Sequence, residues 1–179
     1  DFGGMTREFA YSFHVDGATL GRPTIARALV DLGIVATVSE AFDDLLSSSN
    51  DRYYAGHYAP TIEDAIALVR KAGGVPVLAH PWTATRTTLV GDHDTDEQIS
   101  ARFAELVSVG LAGLEIHHEE NTPFGREQLA AIAAEHDLIV TGSSDYHGLD
   151  TKPVKPGAHT TSLANFERIV ALGTGSAIS

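Results

Sequence analysis

From Pro60 onward the apolar residues of this chain switch repeatedly between helical and extended spacing, and that alternation limits the fold more than any other feature. Thr61-Ile62-Glu63-Asp64 reads as a capped helix start, and Ile62, Ala65, Ile66 and Val69 hold one face up to Gly73-Gly74. An apolar strand, Gly-Val-Pro-Val-Leu-Ala, follows at 74–79. Then come a helix near 97–109, a strand at 113–117, a helix near 124–136, a strand at 138–143 and a closing helix from Ser162 to Leu172. Helices alternating with short apolar strands predict a parallel sheet, because parallel neighbours need a crossover connection and a helix usually supplies it.

The earlier residues read differently. Residues 1–20 show no sustained period and predict an irregular segment. Pro23 suits a first helical position and Ile25, Ala28, Leu29 and Leu32 recur at helical spacing until Gly33, while Val38 to Leu46 repeats the pattern. Three regions result: an irregular segment over 1–20, a helical insert over 21–60, and an α/β part over 61–179. With 179 residues and 43% hydrophobic content, a sizeable core is within reach. Loops that follow strands are where such folds keep their chemistry.

Two strand ends carry metal-type side chains. The segment Val-Thr-Gly-Ser-Ser-Asp-Tyr-His-Gly at 140–148 delivers Asp145 and His147 two positions apart, so in extended backbone the carboxylate and imidazole share one face. That pairing suits divalent ions. Strand 74–79 ends in the same way at His80-Pro81. The chain has no cysteine, which removes thiolate ligands and a cysteine nucleophile and leaves His, Asp and Glu. The competing reading makes His80 a histidine bonded to backbone and Asp145 a turn cap. Gly21-Arg22-Pro23 is a second constellation: Pro23 opens a helix whose free N–H groups favour an anion, and Arg22 adds a two-pronged phosphate donor. A salt bridge from Arg22 to an acidic neighbour is the alternative.

Several motifs together resemble the polymerase and histidinol phosphatase (PHP) family, in its nucleotide-phosphatase branch. They are Ala79-His80-Pro81, Ser144-Asp145-Tyr146-His147-Gly148, the run from Gly21 to Val30, Glu40-Ala41-Phe42 and Gly113-Leu114-Glu115-Ile116, in the family's order across roughly residues 18 to 160. The resemblance implies part of a distorted (β/α)7 barrel with parallel strands and a small helical insert. It implies two or three divalent ions (Mn, Zn or Fe) in the intact enzyme, with His80, Asp145 and His147 as ligands in this chain. It also implies phosphomonoester hydrolysis by metal-bound hydroxide, on nucleoside monophosphates, 3′,5′-bisphosphates or short oligonucleotides. Arg22 and His118 would be catalytic, and Arg22, Thr24, His57 and His118 would face substrate. Thr24 stands where the family usually has His, and Asn121 where relatives often have another His.

Such proteins open with a His-x-His motif, and none occurs in these 179 residues. The chain therefore resembles the C-terminal portion of the enzyme, expected to be inactive alone and to partner the missing N-terminal half of the barrel. Two other readings stand beside it: a catalytically silent binding module on the same scaffold, and an amidohydrolase-like enzyme cleaving a C–N bond. The net charge of −12 would repel a phosphorylated substrate unless cations neutralise it, and no basic cluster suited to duplex nucleic acid is visible. Without a signal-like or long apolar run, the expectation is a cytoplasmic protein with no membrane partner. Glu115, between Leu114 and Ile116, is expected to point into the barrel, as a buried structural acid. Ser143-Ser144 lacks the strand-turn-helix elbow of a serine hydrolase.

Overall fold

The computed structural model describes residues 3–14, 21–47, 50, 52, 59–84, 89–91, 93–146 and 154–175. The chain forms two compact units, Asp1–Tyr58 with His147–Pro153, and Ala59–Tyr146 with Val154–Ser179.

The first unit is helical among its described residues: α1 (Arg7–Ser12), α2 (Arg22–Asp31) and α3 (Val38–Asp43). Helix α1 corrects the expectation of an irregular segment over 1–20. The Thr6 hydroxyl accepts the Phe9 N–H, and that cap starts a six-residue helix too short to leave a periodic signature. Ala26, Leu29, Val35 and Ala41 form this unit's buried core, with Met5, Ile25 and Phe42 packed against it.

The second unit alternates as the spacing predicts: α4 (Ile62–Lys71), β1 (Val77–Leu78), α5 (Asp96–Ser108), β2 (Gly113–His117), α6 (Pro123–Glu135), β3 (Ile139–Gly142) and α7 (Leu163–Leu172). The strands form a parallel sheet in the order β1-β2-β3. Threonine hydroxyls start the crossover helices: Thr61 accepts the Asp64 N–H, Thr95 forms a reciprocal capping box with Gln98, and Thr122 accepts the Gly125 N–H. Strand β1 is two residues long rather than the six of 74–79. Pro76 has no N–H to donate, although its carbonyl still accepts from Ala112 at 3.0 Å, and His80 ends the extended run with a φ of 28°.

Leu114 and Ile116 of β2 face the helices, where Phe103 and Leu106 of α5 and Leu129, Ile132 and Ala133 of α6 close over them. Burying such side chains contributes roughly 1.5–3 kcal/mol each. Arg102 on α5 ties that helix to α4 through Glu63 at 2.6 Å. No helix among the described residues is long and apolar enough to cross a membrane.

Candidate metal centre

Three parallel strands end at the same edge of the sheet, and each passes a polar side chain into the loop beyond it: His80 after β1, His118 after β2 and Asp145 after β3. Two of these residues have left-handed backbone, His80 with φ 28° and Asp145 with φ 47°. For an L residue that conformation costs on the order of 1–2 kcal/mol, less for Asp, and persists only where the surroundings fix it. At His80 the fixing contact is on β2: the His80 N–H donates to Glu115 Oε2 at 3.1 Å. Glu115 reaches it because alternation turns it away from the buried face of Leu114 and Ile116.

Simple alternation would place residue 118 on the helix side with Leu114 and Ile116. The structure does otherwise. The β2–β3 register slips between Glu115 and His117, and the His118 N–H turns back to the Ile116 carbonyl at 3.0 Å. His118 is thereby brought to Glu115, only 1% exposed. Ligand atoms of His80, Glu115 and His118 all lie within 4.8 Å of one another. The two imidazole centroids are 4.7 Å apart, and His118 Nε2 lies 3.7 Å from Asp145 Oδ2.

Burial holds the His118 pKa below the usual imidazole value. Glu115, Glu120 and Asp145 pull it upward and His80 lowers it further, but desolvation is the largest influence, so the ring is neutral at pH 7. Its Nδ1 accepts the Glu120 N–H at 3.1 Å, which leaves the hydrogen of the neutral ring on Nε2, the atom facing Asp145.

The donor chemistry fits a divalent ion. Imidazole and carboxylate suit Zn, Mn and Fe. Donors bound to one ion at about 2.0–2.2 Å lie within roughly 4.4 Å of each other, so the spacing needs to close by only a few tenths of an ångström. Glu115 and Asp145 could ligate through carboxylate oxygens, and His80 through whichever ring nitrogen carries no hydrogen. His118 could do so through Nε2 only if its proton moved to Nδ1 and the Glu120 N–H lost its acceptor.

The structure thus gathers His80, His118 and Asp145, and adds Glu115, which the sequence offers only as a structural acid. Its position between Leu114 and Ile116 is the signal that gives its direction. His147 and His57 lie outside the described residues. Arg22 and Thr24 belong to the helical unit. Arg22 is exposed at the start of α2, where its guanidinium meets the Leu46 carbonyl at 3.4 Å and the Phe42 ring rather than a carboxylate among the described residues. Thr24 is buried. Asn121 is also buried, and its carboxamide is bonded to backbone.

A parallel α/β unit with imidazole and carboxylate donors at the ends of its strands is an arrangement in which divalent-metal hydrolases keep their chemistry. No protein-family model matches the chain. It is 30% identical over 137 residues to the 5′-3′ exoribonuclease Rnm of Salmonella typhimurium, covering 74% of this chain and 42% of that protein. To the 3′,5′-nucleoside bisphosphate phosphatase of Chromobacterium violaceum it is 27% identical over 129 residues, 72% of this chain and 42% of the relative. A Bifidobacterium adolescentis crystal structure, proposed to be a metal-dependent phosphoesterase, superposes with a TM-score of 0.82 at 38% identity, over 96% of this chain and 57% of that one. These similarities support the resemblance to the PHP family of phosphoesterases. It spans about half the length of the relatives it matches.

Proposed function

We propose that this chain supplies the strand-end portion of a metal-dependent phosphoesterase centre that hydrolyses phosphomonoesters of nucleotides, with a nucleoside 3′,5′-bisphosphate as the first substrate to try. The observation that carries this reading is the convergence of His80, Glu115, His118 and Asp145 at one edge of a parallel sheet. The relatives' names add the substrate class, since an exoribonuclease and a bisphosphate phosphatase both break phosphate esters of nucleotides.

In this reading His80 and Asp145, with His147, hold two or three divalent ions, and the strands form part of a distorted barrel. Divalent ions at such a site neutralise phosphoryl charge and lower the pKa of a coordinated water. His118 acts differently: its neutral Nε2–H is the hydrogen-bond donor to a phosphoryl or leaving-group oxygen, a role consistent with the Nδ1 acceptor bond. Arg22, Thr24 and His57 are assigned to the substrate, Arg22 to its phosphate, supported by its exposed guanidinium at a helix start.

The test is phosphate release from a nucleoside 3′,5′-bisphosphate with added Mn²⁺, on this chain and on any longer protein that contains it. Release should stop on chelation and fall at least a hundredfold in His80→Ala. Release indifferent to both would refute the assignment.

A further inference from the structure

We propose that Asn121 is a positioning residue of this centre, whose carboxamide locks the loop carrying His80 to the strand end carrying Glu115 and His118. The inference rests on the site reading above and extends it to a residue that touches neither ion nor substrate. Asn121 is 1% exposed. Its Oδ1 accepts the Trp82 N–H at 3.1 Å, and its Nδ2 donates to the Glu115 carbonyl at 2.8 Å and the Ile116 carbonyl at 3.1 Å. Both carboxamide hydrogens and the oxygen are therefore committed to backbone, so the side chain is a staple and not a ligand.

The three bonds fall at places where regular pairing cannot fix the chain. Trp82 lies two residues past His80, beyond the end of β1, where the sheet no longer holds the backbone. The Glu115 and Ile116 carbonyls flank the register slip that turns His118 toward Glu115. Around the carboxamide, Thr83 and Asn121 pair as an antiparallel bridge and the Thr122 N–H donates to the Trp82 carbonyl at 3.0 Å. The His80 loop is thus joined to the β2 exit by side chain and main chain together. Because the His80 N–H also rests on Glu115, a shift of either segment changes the separation of all three donor groups.

The chemistry requires an amide. Aspartate would keep the acceptor for Trp82 but set an oxygen against two carbonyl oxygens. Serine would keep a hydroxyl too short to span both segments.

The test compares the wild-type chain with Asn121→Asp, with Asn121→Ser should the first not fold, and with Leu129→Ala as a core-destabilised control. Long-range ¹H–¹⁵N correlation reads the His80 and His118 rings in metal-free protein, and Mn²⁺ titration reads affinity. The expected result is one Nε2–H tautomer of His118 in wild type and in Leu129→Ala, mixed or altered ring signals in the Asn121 variants, and about tenfold or greater loss of Mn²⁺ affinity. Ring signals unchanged in a folded Asn121 variant would overturn the proposal, leaving Asn121 a stability residue only. Absence of Mn²⁺ binding in wild type would instead count against the metal reading, and the ring signals would still decide the role of Asn121.

Discussion

Replacing Gly125 by alanine tests how closely α6 presses on the loop that leaves β1. A Cβ built at Gly125 would lie 2.3 Å from Trp82 Cγ, 2.6 Å from Cδ1 and 2.7 Å from Cβ. Comfortable carbon contacts begin near 3.5 Å, so helix or indole must move by about 1.2 Å. Neither moves freely. Trp82 is 1% exposed, its ring stands edge-on to Phe124 with centroids 5.7 Å apart, and its N–H is held by Asn121. Overpacking of this kind costs about 1–3 kcal/mol. Alanine returns at most ~1 kcal/mol of helix propensity, and less in the first turn. The net expectation is a loss of roughly 1–2 kcal/mol, or about 2–8 °C in Tm for a chain of this size. Urea unfolding followed by circular dichroism measures the loss. The only tryptophan in the chain is Trp82, so its fluorescence reports the displacement directly. Gly3→Ala, where a Cβ meets nothing within 4 Å, is the control. If Gly125→Ala matches wild type in stability and in Trp82 emission, the close approach of helix and loop is wrong.

Two further outcomes follow from the same geometry. Asp145→Asn keeps a residue type that tolerates left-handed backbone, so stability should change by only about 0.5 kcal/mol, while the proposed metal-dependent phosphate release falls at least a hundredfold; equal losses in both would point to a structural carboxylate. For metal-free protein, the lowered His118 pKa means that the unfolded state binds a proton more readily than the folded one, so stability is full above the ordinary imidazole value near 6.5 and declines as pH falls from there through the folded value. Urea midpoints from pH 7.5 down to 5 should show that decline in wild type and a smaller one in His118→Asn, and parallel profiles would contradict the burial of a neutral ring.

Much of the fold is legible because its determinants are local. Thr61 before Ile62-Glu63-Asp64 announces a cap, and the observed helix begins at Ile62. The apolar run near 138–143 becomes β3, and Leu114 and Ile116 lie inward as their alternation requires. What escaped the sequence depends at least in part on contacts distant along the chain. The register slip that turns His118 to Glu115 is held partly by a near neighbour, the Asn121 carboxamide, but it also needs pairing with β3, which no local pattern marks. Asn121 carries no signature of its own because a loop asparagine is ordinary, and only its burial beneath Trp82 gives it meaning. The strand at 74–79 shortened for a reason visible in the sequence, Pro76, and for one that is not, the left-handed turn at His80.

That turn links the folding problem to the chemical one. A residue that continues a parallel ladder directs its side chain across the sheet, toward the helices or the opposite face. To aim His80 and Asp145 beyond the strand ends, the chain must leave the ladder abruptly, and both do so through left-handed backbone. Such a conformation costs on the order of 1–2 kcal/mol per residue, a noticeable share of a domain stability of about 5–15 kcal/mol. The Glu115 carboxylate on the His80 N–H and the Asn121 carboxamide on Trp82 are contacts able to offset it. These polar groups therefore join the loops where the sheet ends, and the donor cluster lies where they join. Loosening the Glu115 contact to the His80 N–H should cost the centre its geometry before it costs the sheet its fold, because Leu114, Ile116 and the helices over them form a core on the opposite face of β2.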